Sequence, residues 1–400
     1  MFYIGGFDPA GAARYHALYA GEAAEQQKLG QIALQVGPRR RVQGGGACWD
    51  IEAQEGACTV RTRYEYLPWD GIVRAHWTQR RLALVRDLVA ASLYLVASGA
   101  ARTLWRAHRV AALVLLLPFL LLCALVLLVP AAGTAAAALA WSWTQSAVLA
   151  ALAGPVVAAA GAFLVLRRQM AWSADWLGRS LAFHVRQARG EVPELPDLLD
   201  RHADRIVQRL AESADDEVLV VGHSSGSILA VSVVARVLAR WPADTRCAFS
   251  LLTLGQCIPV VGALPPAAAY RDELLAVGTS QRVAWIDFSA PPDGCCFPLV
   301  DPLAACGVQA GHPAGPRLLS PRFFRMFEPA EYAGLRRDKF TLHFQYLKAG
   351  RRADAYDFFS ITAGARTLAA RHAAAPGELF PDAIGSPVRT RREETREQGS

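Results

Sequence analysis

Residues 215–240 read DDEVLVVGHSSGSILAVSVVARVLAR. Their first half, Val218 to Val221, is short, β-branched and continuously apolar, as expected of a strand buried on both faces of a parallel sheet. From Ser227 onward Ile228, Leu229, Val231, Val234, Val237 and Leu238 recur at helical spacing, which predicts a packed helix ending near Arg240. Between the two halves the chain must reverse within a few residues. So tight a turn forces its middle residue, Ser224, into strained backbone angles, and side chains two positions away on either side would obstruct the neighbouring chain. Gly222 and Gly226 occupy those positions.

With a strand before it and a helix after it, Gly-His-Ser-Ser-Gly resembles the nucleophile elbow of the α/β-hydrolase superfamily, a resemblance that covers residues 1 to about 36 and 195 to about 372. It implies a parallel sheet flanked by helices and a nucleophilic Ser224. His223 then stands at the variable position of the elbow. The family order, serine then acid then histidine, sends the search downstream. Of His312, His343 and His372, the best placed is His343, in KFTLHFQYL after the last strands. His312 lies in a Gly/Pro-rich loop and stays open as an alternative, whereas His372 near a helix end suits the helix dipole. For the acid, the strand Val283 to Phe288 runs into a Pro-rich loop holding Asp293, with Asp287 and Asp301 as alternatives that could equally be structural carboxylates. The oxyanion donors implied are the N–H of Ser225 and one from the turn after an early strand. The segment MFYIGGFDPAGAARYHALY fits that unit, with Phe7 or Asp8 as donor and with Asp8 and Pro9 predicted to open the helix that follows. Because the chain starts at this strand, the expected sheet is a reduced one lacking two strands.

Hydrophobic residues make up 53% of the 400-residue chain, and the mean hydropathy is positive. Val110 to Val129 is a stretch of twenty residues without a charge, enough at ~1.5 Å per residue to cross a bilayer core of ~30 Å. Ala147 to Leu166 is a second such stretch, richer in alanine and glycine and suited to packing on the first. A hairpin buried in a soluble core is the competing reading, but the first stretch is leucine-rich all round and Trp141 and Trp143 suit an interface. Arg102, Arg106 and Arg109 precede the first span, Arg167, Arg168 and Arg179 follow the second, and the connecting residues 130–146 are uncharged. By the positive-inside rule both termini and the hydrolase portion face the cytoplasm of an inner membrane, and MFYIGGFDPAG carries no basic region or cleavage site of a signal peptide.

The eight cysteines show no C-x-x-C or zinc spacing, so reduced thiols are expected and neither metal nor cofactor is called for. A net charge of +7 is modest for nucleic-acid binding and suits anionic lipid headgroups better. The expected organisation is residues 1–76, the start of the sheet with a small β-hairpin; 77–190, a helical insertion holding membrane helices at about 110–129 and 147–166; 191–375, the core with the elbow; and 376–400, a disordered tail. The expected function is a membrane-anchored serine hydrolase acting on esters or thioesters of lipid or other amphiphilic substrates. Acyl transfer through the same residues and a catalytically silent membrane scaffold remain alternatives, and the sequence leaves the oligomeric state open.

Overall fold

The structure is a computed structural model that describes residues 1–374 except 43–44, 172, 213, 243–244, 310, 312–314 and 353–355. The expected disordered tail and His312 therefore lie outside the described residues.

Nine strands form one mixed sheet: β1 (Phe2–Ile4), β2 (Ala33–Val36), β3 (Arg40–Arg41), β4 (Ala47–Glu55), β5 (Cys58–Tyr66), β6 (Glu217–His223), β7 (Ala248–Leu254), β8 (Ala284–Phe288) and β9 (Arg317–Leu319). Their order is β2-β4-β5-β1-β6-β7-β8-β9, with β3 on β4. The run β5-β1-β6-β7-β8-β9 is parallel, and β2, β3, β4 and β5 pair antiparallel. The sheet is thus fuller than the reduced one expected. The hairpin read as a small separate feature docks edge-on to β1, where Tyr3 faces Tyr66, and its alternating residues bury one face beneath helix α1 (Ala12–Gln27) and the aromatic cluster of Tyr3, Tyr15, Tyr19, Trp49 and Tyr64. The parallel strands bury both faces, which is why β6 reads as a continuous apolar run.

Helix α1 starts later than its sequence suggests. Its N-cap is Gly11 at φ 71°, and no side chain caps it. Asp8 instead closes a turn of its own, its Oδ1 accepting from the Ala10 N–H at 2.9 Å. The helical insertion opens with two helices, α2 (Arg81–Ala97) and α3 (Ala100–Ala107), bent by 77° at Gly99, whose φ of 79° only glycine adopts readily.

The apolar insertion also differs from its expected bounds. Helix α4 (Arg109–Cys123), a π-helical turn (Ala124–Leu128) and α5 (Val129–Thr144) run on as a helix of 36 residues. The uncharged connector, far from being a loop, supplies α5: its alanines are strong helix formers, and the bond Pro130 cannot donate falls where the π turn sits. The reversal occurs only at Gln145, φ 53°, and Ser146. Helix α6 (Ala147–Ala171) returns along α5. The two approach closely at Gly133 and Gly154, where an added Cβ would lie 2.9 Å or 3.1 Å from the partner's backbone oxygen. Ala111, Ala112 and Val114 of α4 are 3–9% exposed against the body. The expected span 110–129 lies within the first helix, which runs on beyond it to Thr144. Two helices, Arg109–Thr144 and Ala147–Arg168, are long and apolar enough to cross a membrane.

Helix α7 (Ala174–Ala188) leads back into the body, and α8 (Glu194–Glu212) and α9 (Gly226–Ala239) cover one face of the sheet. Arg179, expected beside the membrane, belongs to the body: its guanidinium lies over the Trp77 ring and donates to Thr78 O.

Candidate functional site

The parallel strands all point their C-terminal ends at one edge of the sheet, where open α/β sheets present their loops to ligands. Ser224 sits there between β6 and α9 with φ 57°, a left-handed conformation that costs a non-glycine residue on the order of 1–2 kcal/mol. The turn is held by the Ser224 N–H donating to Leu254 O at 2.9 Å. The flanking glycines are sterically required. A Cβ at Gly226 would lie 2.2 Å from Ile4 O, and one at Gly222 would lie 2.8 Å from Gly226 O.

Asp293 and His343 come from different elements and meet. Asp293 lies in the loop after β8; His343 closes the short helix α10 (Lys339–His343). His343 Nδ1 donates to Asp293 Oδ2 at 2.8 Å, a direction fixed because a carboxylate can only accept. Tyr346 Oη donates to the same oxygen at 3.0 Å and the Cys295 N–H to Oδ1 at 2.9 Å. Burial alone would raise the Asp293 carboxyl, but His343 and the Cys295 amide outweigh it and hold it below the usual carboxylate range. Ser224 and His343 line one cavity of about 260 Å³. They do not touch: among the described residues the only polar partner of Ser224 Oγ is Cys257 Sγ at 3.9 Å. Such hydroxyl–imidazole contacts are often long before a ligand closes the site.

The other carboxylates are placed elsewhere. Asp287, inside β8 and wholly buried, accepts from Thr253 Oγ1 and Ser289 Oγ, both at 2.7 Å, and burial pushes it up to about 7. Asp301 caps the helix Pro302–Ala305 through the Leu303 N–H. His372 lies outside the cavity, on the helix Leu368–Ala373, its carbonyl accepting from Arg317. His223 is turned away from Ser224, its Nε2 donating to His343 O at 2.9 Å.

The turn after β1 passes directly beside the serine, since a Cβ at Gly6 would lie 3.1 Å from Ser224 Cβ. The Asp8 N–H is committed to Gly6 O at 2.7 Å, so Asp8 is not the free donor. Among the described residues the N–H groups of Phe7 and Ser225 donate to no backbone acceptor. The Phe7 ring itself is core, stacked on Trp77.

A second histidine reaches this place without a sequence signal. His184, in the middle of α7, is 1% exposed and lines the cavity. Its Nε2 meets Ser225 Oγ and its Nδ1 meets Gln187 Oε1, each at 2.9 Å. Burial lowers its pKa to about 4, so the ring is neutral at pH 7. Tyr346, three residues after His343, could have been suspected from its aromatic segment; the Ser225–His184–Gln187 chain could not, because 41 residues separate Ser225 from His184 and no motif marks them.

Ligand atoms of Asp293, Cys295 and His343 lie within 4.8 Å of one another. They suit a metal poorly, because the carboxylate is already saturated with donors and burial raises the Cys295 thiol well above its ordinary value, whereas a metal needs thiolate. A wider groove of about 1320 Å³ lies at the opposite edge of the parallel strands, and its charges pair with each other, as in Arg205 with Glu65 and Arg209 with Asp215. No family model, curated protein or solved structure matches this chain.

Proposed function

We propose that the chain is a membrane-anchored serine hydrolase of the α/β-hydrolase superfamily that cleaves carboxylic esters or thioesters of amphiphilic substrates through an acyl-enzyme on Ser224. The observation that carries the reading is the coincidence, in one cavity, of a serine at φ 57° and a buried His343–Asp293 pair. A strained, half-buried serine that opens on a cavity between two obligatory glycines has no packing role that would maintain it.

In the proposed reaction Ser224 Oγ turns from Cys257 toward His343 Nε2, gives it its proton and bonds to the substrate carbonyl carbon. Asp293 keeps Nδ1 protonated and Nε2 basic. The N–H groups of Ser225 and Phe7 stabilise the oxyanion. Collapse breaks the bond to the leaving oxygen or sulfur, which takes the proton from Nε2, and water then reverses the sequence to release the acid. An alcohol in place of water would make the same residues an acyltransferase.

The anchor is the hairpin. On the arginine asymmetry, with Arg102, Arg106, Arg109, Arg167 and Arg168 at its roots and no charge at its tip, the body and both termini face the cytoplasm of the inner membrane. Reporters active only outside the cytoplasm when fused to either terminus would overturn that orientation. For the chemistry, a fluorophosphonate probe should label wild-type protein at Ser224, and Ser224→Ala should lose labelling and lower ester turnover by roughly 10⁴ to 10⁶. Unlabelled, inactive wild type in detergent and in bilayers would favour the silent-scaffold reading.

A further inference from the structure

The cavity at Ser224 is lined by Ser224, Ser225, His184 and His343 and by the charged Asp8 and Lys339, and most of its remaining wall is apolar. Much of that apolar wall comes from the helices that join the hairpin to the body. Val110, Val114 and Leu115 stand on the first turns of α4, the helix that runs on without a break into the hairpin. Trp176 and Leu177 stand on the first turn of α7, which begins three residues after α6 ends. The opposite side of α4 is apolar and uncovered, with Leu113 and Leu120 each 45% exposed.

We infer that the apolar part of the cavity is a slot for one acyl chain of a bilayer lipid, which enters between α4 and α7 from the leaflet at the hairpin roots, and that Val114 and Trp176 set the chain length accepted. The inference rests on the serine chemistry proposed above and names its substrate class. A water-soluble ester would have to shed its hydration along these walls, whereas an acyl chain passes from one apolar environment to another at little cost. The volume of about 260 Å³ lies just below the ~300–1,000 Å³ of small-molecule sites, so it suits a single chain with the headgroup left outside. Gly294 sets the closeness of the wall. A Cβ there would lie 3.0 Å from Val114 Cγ2, so the residue after Asp293 packs against α4, and the depth of the slot and the position of the acid loop depend on the same contact.

The test uses the full chain in lipid nanodiscs with acetate, octanoate and palmitate esters of one alcohol. Val114→Trp should lower the palmitate-to-acetate ratio of kcat/KM by about tenfold or more, and Trp176→Ala should raise it, the scale of discrimination that a few methylenes in an apolar pocket provide. In parallel, Ser224→Ala protein in vesicles containing a diazirine-bearing fatty acid should be crosslinked at residues 110–115 and 176–184. Crosslinking there without ester turnover by wild type would leave the slot standing and remove the serine chemistry. Turnover with an unchanged chain-length ratio in both variants, or crosslinks confined to outward residues such as Phe163 and Leu164, would overturn the slot. The two variants alter different helices of the wall, so a folding failure in one leaves the other as the measurement.

Discussion

Helices α9 and α6 are built from similar residues and meet opposite surroundings. Ile228, Leu229, Val231, Val233 and Val234 of α9 are 0–1% exposed, whereas Val148, Leu152, Val156 and Phe163 of α6 are 60–68% exposed. Helix α9 has 14 residues, about 21 Å at ~1.5 Å each, too short to span a bilayer core. It lies against the sheet, and its one charged face is satisfied by Arg236 with Asp200 and Glu273. Helix α6 has only α5 as a close partner along most of its length, and the pair spends its small residues, Gly133 and Gly154, on mutual approach. Apolar composition therefore says that a helix avoids water. Its length, and whether it spends glycine on a partner helix or bulk on a sheet, say what replaces the water.

The contrast can be broken at its tightest point. Gly226→Val places a branched side chain where even a Cβ would lie 2.2 Å from Ile4 O and 2.6 Å from Gly5 O, and both are backbone atoms that cannot yield. The expected loss exceeds ~4 kcal/mol, the scale of exceptional mutations, and shows as absent detergent-extractable protein or loss of the cooperative thermal transition. A variant with a wild-type melting temperature would refute the packing argument for this turn.

Acid should separate the two regions next. Burial lowers the pKa of His184 and His202 to about 4 and of His223 to about 3, all in the body, while residues 110–166 contain no Asp, Glu, Lys, Arg or His. A histidine with a depressed folded pKa contributes stability above its unfolded value near 6.5, and that contribution is lost as pH falls from there toward 4. Each of the three should cost the body on the order of a few kcal/mol over that window. Near-UV circular dichroism of the body should fade while hairpin helicity in detergent persists. His202→Gln, which keeps a donor for Pro68 O, should flatten the pH dependence, and an unchanged slope would show that His202 does not contribute.

Gly154→Val should have the smallest effect. Its Cβ would meet Gly133 O at 3.1 Å and Ala137 Cβ at 3.2 Å, so the hairpin must part, at a cost of about 1–3 kcal/mol. Crosslinking between cysteines placed on α5 and α6 should weaken while the melting temperature of the body stays put. A fall in the latter would mean that the hairpin supports the body.

Much of this was legible because it is local. The apolar run into Gly222, Ser224 and Gly226 and the helical spacing after it depend on neighbours within a few residues, and so does the stretch of uncharged residues that is long and apolar enough to cross a membrane. Asp293 and His343 could be ranked as candidates by their place after particular strands, but 50 residues separate them. Where charge and composition give no stop signal, boundaries are poorly marked: the uncharged connector 130–146 carries nothing that sets it apart from the helix it continues, and Asp8 before Pro9 has the form of a common cap although α1 starts only after Gly11.

The sequence by itself determined that a serine occupies a forced turn between a buried strand and a buried helix, and that two segments are long and apolar enough to cross a membrane; both follow from steric and hydrophobic rules acting over short distances. Tertiary structure alone decided that the hairpin strands complete the sheet, that the Asp8 N–H is spent on Gly6 O, that His184 and Gln187 reach Ser225, and that the root of the apolar helix walls the cavity. Those outcomes depend on which surfaces meet once the chain has closed on itself, and contacts between residues tens or hundreds of positions apart leave no periodic trace in the sequence of either partner.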